Sequence, residues 1–460
     1  IRFSNQLIVR HNQLPFPLKL VGDYLPQSCI CNMFGVIMLP MVRITFCGLV
    51  SGLLMTGSVF GQDAMPVTFA KDVMPILQQS CQVCHRENNM APMSLMTYEE
   101  IRPWSRSIKN KVLAREMPPW HIDKKVGIQD FKDDRSLSED QIATIVAWVD
   151  AGSPRGDSAD LPPPMEFQDF GAWTIEPDVI VASPLHTVPA ESGDWWGHYI
   201  VPSGVTEDRY IQAIQTRAGD LRVVHHALTY AVTDPNPPPD DSSNDFFLNE
   251  YAVGKNADQY PDGTGKLFPA DAQVRFSFHY HSIGEQVVDQ TELGLKFYPK
   301  GYEPDHVLWS RQLGLAGELD IPAGQITRHD GYTKMYLPGT LTGFQPHMHF
   351  LGTRQCLELI YPDATTEMVS CANFDFNWHI VYNYADDAQP IYPAGTTMHV
   401  ISYHDNTASH RGNHDSQNWT GSGNRTIDEM AFGWINWYDL SEEEYQTELR
   451  VRQKARANNN

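Results

Sequence analysis

The apolar positions keep one period over the first part of the chain and another over the rest. Val73, Ile76 and Leu77 recur at helical spacing and run into Cys81. Ser138-Glu139-Asp140-Gln141 marks a helix start, with Ser138 as the N-cap and Gln141 three positions on. Leu137 can staple onto Ile142, and Ile142, Ile145, Val146 and Val149 line one face before Gly152 stops the helix. Gly152 to Met165 is polar and Pro-rich, a composition that makes a semi-rigid spacer. Beyond it the period drops to two. Val274-Arg275-Phe276-Ser277-Phe278 and the run from Thr397 to Tyr403 alternate between Gly, Pro and Asp punctuation, as half-buried strands do. The pattern predicts a multidomain chain: a small all-α module at 66–153, a linker at 154–172, and all-β sandwiches at 173–303 and 304–446. A tail at 447–460 completes it.

The first 61 residues belong to none of these units. Met41-Val42-Arg43 opens an apolar run from Ile44 to Phe60 behind a single positive charge, and Gly57, Ser58 and Gly61 suit cleavage near Gln62. We expect 1–61 to be a dispensable extension whose signal peptide occupies about 41–61, exporting the protein to the periplasm or beyond. An uncleaved anchor is the rival reading of the same run. No later stretch is apolar for long enough to span a bilayer, so no stable membrane span is expected after signal removal. With 34 Lys+Arg against 56 Asp+Glu the net charge is −22, which argues against nucleic acid as a partner. Seven Cys are too few for a disulfide-dense scaffold, while 18 His and 16 Met are a supply of metal ligands that only spacing can sort.

Cys81-Gln82-Val83-Cys84-His85 is the first such spacing. In C-x-x-C-H two thiols reach the vinyl groups of one haem, and the adjacent His supplies an axial nitrogen. A zinc half-site or a redox C-x-x-C are the alternatives, but no Cys between Cys84 and Cys356 offers a second zinc pair. Met117, in Glu116-Met117-Pro118-Pro119-Trp120, is the preferred sixth ligand because proline restricts the loop; Met93, Met96 and His121 compete. The stretch from Cys81 through Met117 to the helix near Trp148 resembles a class I cytochrome c domain, which implies one covalently attached c-type haem held by Cys81, Cys84, His85 and Met117.

The β-rich part carries three histidine clusters: His225-His226, His279-Tyr280-His281, and His347-Met348-His349. Residues two apart on a strand share a face, so each His-x-His can offer two imidazoles to one metal. Alternation cannot choose between His279 and His281, and adjacent His225 and His226 need a bend to converge. Met398 rivals Met430 as a thioether donor, and His404, His410 and His414 read as a solvated polar loop. Cys356 and Cys371 lie at equal distances from a turn centred on Pro362-Asp363-Ala364-Thr365, which predicts a cross-strand disulfide.

From about Glu176 to Tyr438 these motifs, with Asp428-Glu429-Met430, resemble the copper type II, ascorbate-dependent monooxygenases, the family of peptidylglycine α-hydroxylating and dopamine β-monooxygenases. The resemblance implies two jelly-roll-like sandwiches and two copper ions. His225, His226 and His279 would hold the electron-transfer copper; His347, His349 and Met430 would hold the catalytic one. It further implies hydroxylation of a C–H bond of a small-molecule substrate by O₂, with electrons from an external donor passing through the cytochrome c module. An electron-transfer or copper-binding haem protein without hydroxylase activity is the alternative, and a carbohydrate-type binding module bearing a haem domain is a third.

Overall fold

The computed structural model describes residues 67–459, except 88, 90, 133, 168–171, 235–245, 253–254 and 256. The expected extension and signal peptide at 1–61 lie outside the described residues. The fold is mostly β-sandwich sheet with a few helices, most of them short. Among the described residues no helix is long and apolar enough to cross a membrane.

The helices gather at 69–150. A π-helical turn, Phe69–Val73, leads into Met74–Ser80; Ser105–Leu113 and Glu139–Asp150 follow. The last begins with the expected capping box, Ser138 Oγ accepting from the Gln141 amide while the Gln141 side chain accepts from the Ser138 amide. Leu77, Ile101, Ile145 and Trp148 are fully buried together and form this module's own core. Gly152 ends the last helix at φ +87°, a conformation glycine adopts without strain. The Pro-rich stretch that follows is tied back onto the helices. Pro154 O accepts from the Phe69 amide and from Trp148 Nε1, Arg155 O from the Ala70 amide, and Pro163 O from Gln78 Nε2.

One long sheet runs through both halves of the β-rich part, with strand order 179–182, 292–297, 209–217, 264–268, 306–313, 432–439, 339–347 and 382–383. The two halves are stitched at one short parallel pairing, His306 and Val307 against Thr264 and Gly265. A four-stranded sheet (195–202, 273–280, 224–232, 246–252) covers the first half, burying Ile211, Ile214, Phe276 and Leu295 between the layers. A second (326–334, 397–405, 352–360, 366–373) covers the other half over Leu341, Phe344, Leu357, Val400 and Ile435. The change of half falls between strands Glu292–Phe297 and His306–Leu313. What alternation along single strands cannot reveal is that the sheet continues across it. Cys356 and Cys371 are directly opposed in register and form the disulfide.

Two segments depart from the expected boundaries. Residues 120–132, read as part of the helical module, leave it and pack on the second sandwich. Trp120, Ile122 and Phe131 join that sandwich's core, the Asp123 amide donates to Cys371 O, and the Ile128 amide to Val369 O. The segment is apolar and lies between two helices, so sequence position alone assigns it to them; backbone pairing with the strand Thr366–Asn373 draws it away. The tail at 447–460 belongs to a helix, Glu442–Asn459, that starts within the range given to the second sandwich and is capped by Ser441 and Glu444.

Candidate metal centres

The first histidine pair owes its geometry to a β-bulge. On the strand Val224–Val232, Val224 faces Tyr280 and His226 faces His279, so His225 is an extra residue in the ladder. The bulge supplies the bend that adjacent histidines need. His225 Nδ1 and His226 Nδ1 lie 3.1 Å apart, and the donor atoms of His225, His226 and His279 all fall within 4.8 Å of one another. His279 Nε2–H donates to Asp194 at 2.8 Å, which fixes the tautomer and leaves Nδ1 as the free donor. His281 lies on the same face, but its ring centroid is 6.5 Å from that of His225 and it is outside the group.

His347 ends the strand Gly339–His347, and His349 follows it with the ring centroids 5.7 Å apart. The Asp428-Glu429-Met430 segment clamps this pair. Glu429 accepts the His349 and Leu351 amides at 3.0 and 2.6 Å, and His349 Nδ1–H donates to Asp428 O at 2.9 Å, which leaves Nε2 free. Phe432 is the register partner of His347, and Met430 lies two residues before it, its carbonyl accepting from His404 Nε2. Met398, the competing thioether, is 0% exposed and packs with Leu357, Leu359 and Val400 in the second core. His404 is a correction to the expectation of a solvated loop: it is 0% exposed on the strand Thr397–Asp405, donating toward Met430 O at 3.2 Å. The strand runs further than its apolar residues suggest and carries His404 inside. His410 is half-buried, and His414 is exposed as expected.

Two residues that sequence spacing did not point to complete the region. Glu250, His347 and His379 form a second group whose donor atoms lie within 4.8 Å of one another, all buried. His379 comes from the loop after the strand Thr366–Asn373, and its ring centroid is 5.5 Å from that of His347 and 6.0 Å from that of His225. Phe376, from the same loop, stacks on His225. The two expected ligand sets therefore meet in one histidine cluster between the sandwiches. A solitary histidine has no spacing to betray it. Glu250 carried a weak signal, a charge inside the strand Phe246–Ala252.

Burial decides the protonation of this cluster. It pulls His225 down to about 3, with neighbouring His379 and His279 adding to the effect, and His379 down to about 4; it holds His226 and His347 well below 6.5. Burial pushes Glu250 up to about 7. Neutral imidazoles present the lone pair a metal needs, so the donor chemistry fits metal binding near neutral pH. Several donors are also orphaned: His347 Nδ1, both His379 ring nitrogens and Glu250 Oε1 make no well-formed hydrogen bond. Leaving a buried polar group unpaired costs about 1–3 kcal/mol, which a bound cation would offset. The histidines take up protons more readily unfolded than folded. Their contribution is whole above about pH 6.5 and is lost as pH falls toward about 3–4, whereas that of Glu250 is whole below 4.5 and lost as pH rises through about 7. Thermal melting of the metal-free chain should therefore drop on acidification from pH 6.5 to 5, and drop less in His379→Gln.

The C-x-x-C-H motif forms a turn. Cys81 caps the helix Met74–Ser80, the His85 amide donates back to Cys81 O, and neither Cys81 nor Cys84 is in a disulfide. His85 Nδ1–H donates to Met93 O at 3.2 Å, so Nε2 is free as an axial donor. Beside the turn lies a cavity of about 1020 Å³ whose lining includes Val83, Cys84, Arg86, Thr216, Ala218 and Tyr251. Met117, half-buried, stands where the chain leaves for the second sandwich. Of its rivals, Met93 packs on the helical core, and His121 is tied to the second sandwich through Tyr382 Oη and the Asn373 amide.

No family model and no curated protein matches the chain. Among solved structures, the VP2 subviral particle of infectious bursal disease virus is similar at 9% identity, over 59% of this chain and 76% of that one, with a TM-score of 0.19. An oxalate decarboxylase of Bacillus subtilis is similar at 7% identity over 61% and 80%, with a TM-score of 0.12. Values this low leave fold and chemistry to be argued from the residues themselves.

Proposed function

We propose that the protein is an exported haem- and copper-dependent monooxygenase that hydroxylates a C–H bond of a small substrate. One observation carries the reading: His379 brings the two ligand sets expected from the sequence into one cluster between the sandwiches, its ring 6.0 Å from that of His225 and 5.5 Å from that of His347, whose Nδ1 is buried without a protein partner. In this reading the helical module is a class I cytochrome c domain, the sandwiches are jelly-roll-like, and the likeness to the copper type II, ascorbate-dependent monooxygenases extends to their fold. His225, His226 and His279 would hold one copper, and His347, His349 and Met430 the other. Cys81 and Cys84 would bind haem through thioethers, with His85 and Met117 as axial ligands.

Bound copper and haem would supply one-electron chemistry and oxygen activation: substrate C–H, O₂, two electrons and two protons give an alcohol and water. The chain's own residues set the conditions for it. Asp194 and the Asp428 carbonyl hold His279 and His349 in the tautomers that present one nitrogen each. Phe376 and Trp196 stack on His225 and His279 and keep water from their faces. Tyr251 lines the cavity beside Cys84, while its neighbour Ala252 pairs with His226, so one strand pair links the C-x-x-C-H turn to the first histidine group.

The test is a screen of small C–H substrates with haem- and copper-loaded protein under isotopically labelled O₂. We expect an alcohol carrying one labelled oxygen. Copper and haem bound and redox-active with no oxygenated product across the screen would favour the alternative, an electron-transfer or copper-binding haem protein.

A further inference from the structure

The group Glu250, His347 and His379 does not coincide with the set His347, His349 and Met430, and the difference has chemical content. Glu250 is 1% exposed, in the first sandwich's strand Phe246–Ala252; His347 and His379 are 9% and 5% exposed and come from the second. The donor atoms converge from both sandwiches to within 4.8 Å of one another. Each residue brings at least one atom without a well-formed hydrogen bond: Oε1 of Glu250, Nδ1 of His347 and the ring nitrogens of His379. The other Glu250 oxygen accepts from Gln345 Nε2, which aims the carboxyl at the strand bearing His347. A cation between the buried Glu250 carboxyl and the two buried imidazoles would satisfy these orphaned atoms.

We propose that Glu250, His347 and His379 form a divalent-cation site, and that copper(II) is the ion it takes. The inference rests on the reading of His347 as a copper ligand and deepens it. Two imidazoles and a carboxylate suit the harder copper(II), whereas a thioether set such as His347, His349 and Met430 suits copper(I). His347 belongs to both sets, so the second copper would have a different bed in each oxidation state. His379, 5.5 Å from His347 and 6.0 Å from His225 between ring centroids, extends the oxidised bed toward the first histidine group.

The experiment uses the full-length chain stripped of metal and titrated with copper(II) sulfate, with native mass spectrometry counting bound ions and EPR resolving the sites. Wild-type protein should take two copper(II) ions. Glu250→Gln and His379→Gln should each weaken the second by tenfold or more while the ion at His225, His226 and His279 stays. If copper(I) affinity is unchanged, a tenfold loss raises the potential of the second copper by about 59 mV. A measurement on the unmutated protein stands beside this in case either variant fails to fold. Anomalous diffraction from copper(II)-soaked wild-type crystals should place the second ion in contact with Glu250, His347 and His379. An ion held by His347, His349 and Met430 with Glu250 and His379 apart, or folded variants that keep wild-type affinity, would overturn the inference and leave the two-copper reading standing. Wild-type protein that takes no second copper would overturn both.

Discussion

Met430→Ala should lower oxygen-dependent hydroxylation by more than about 10²-fold while the copper at His225, His226 and His279 stays bound. The lower bound follows because loss of a residue that merely orients a ligand costs about 10–100-fold, and loss of a ligand should cost more. Glu429 and the Asp428 carbonyl clamp His349, and Met430 follows them directly in the chain. Met398→Ala is the control, with the opposite signature. Met398 is buried in the second core, so its truncation should cost about 2–5 kcal/mol of stability and leave copper content unchanged. Rates under O₂, copper counts and thermal melting of the two variants read the contrast. Loss of hydroxylation in folded Met398→Ala with activity kept in Met430→Ala would reverse the ligand assignment.

Trp120→Ala should destabilise the protein by about 3–5 kcal/mol and loosen the helical module from the second sandwich. Trp120 is buried in that sandwich's core, with edge-on contacts to Phe131 and Tyr382 at centroid distances of 5.9 and 5.1 Å. It also anchors the segment that brings Met117 and the C-x-x-C-H turn back to the β-rich part. Intramolecular haem-to-copper electron transfer, followed by stopped-flow absorbance, should slow along with the loss of stability. If Trp120→Ala melts like the wild type, residues 120–132 do not anchor there.

Most of this arrangement is legible in local patterns. Ser138 and Gln141 announce a helix start, alternation announces the strands, and Cys356 and Cys371 announce their own pairing, because each depends on neighbours in sequence. The parts that escape depend on distant chain. Trp120, Ile122 and Phe131 read as one more apolar stretch until backbone pairing with residues 369–384 claims them. The bulge at His225 leaves no mark beyond the doublet itself. His404 reads as polar loop because only the fold shows Glu429 and Met430 closing over it. His379 and Glu250 are single residues from separate strands and loops, brought together only when the two sandwiches meet.

Copper and haem analysis of the mature, fully loaded chain tests the central claim most directly. The account predicts two coppers and one covalently bound haem per chain, the copper falling to one in His226→Ala and the haem lost in Cys84→Ala. Well-folded protein that takes up haem but no copper would contradict it.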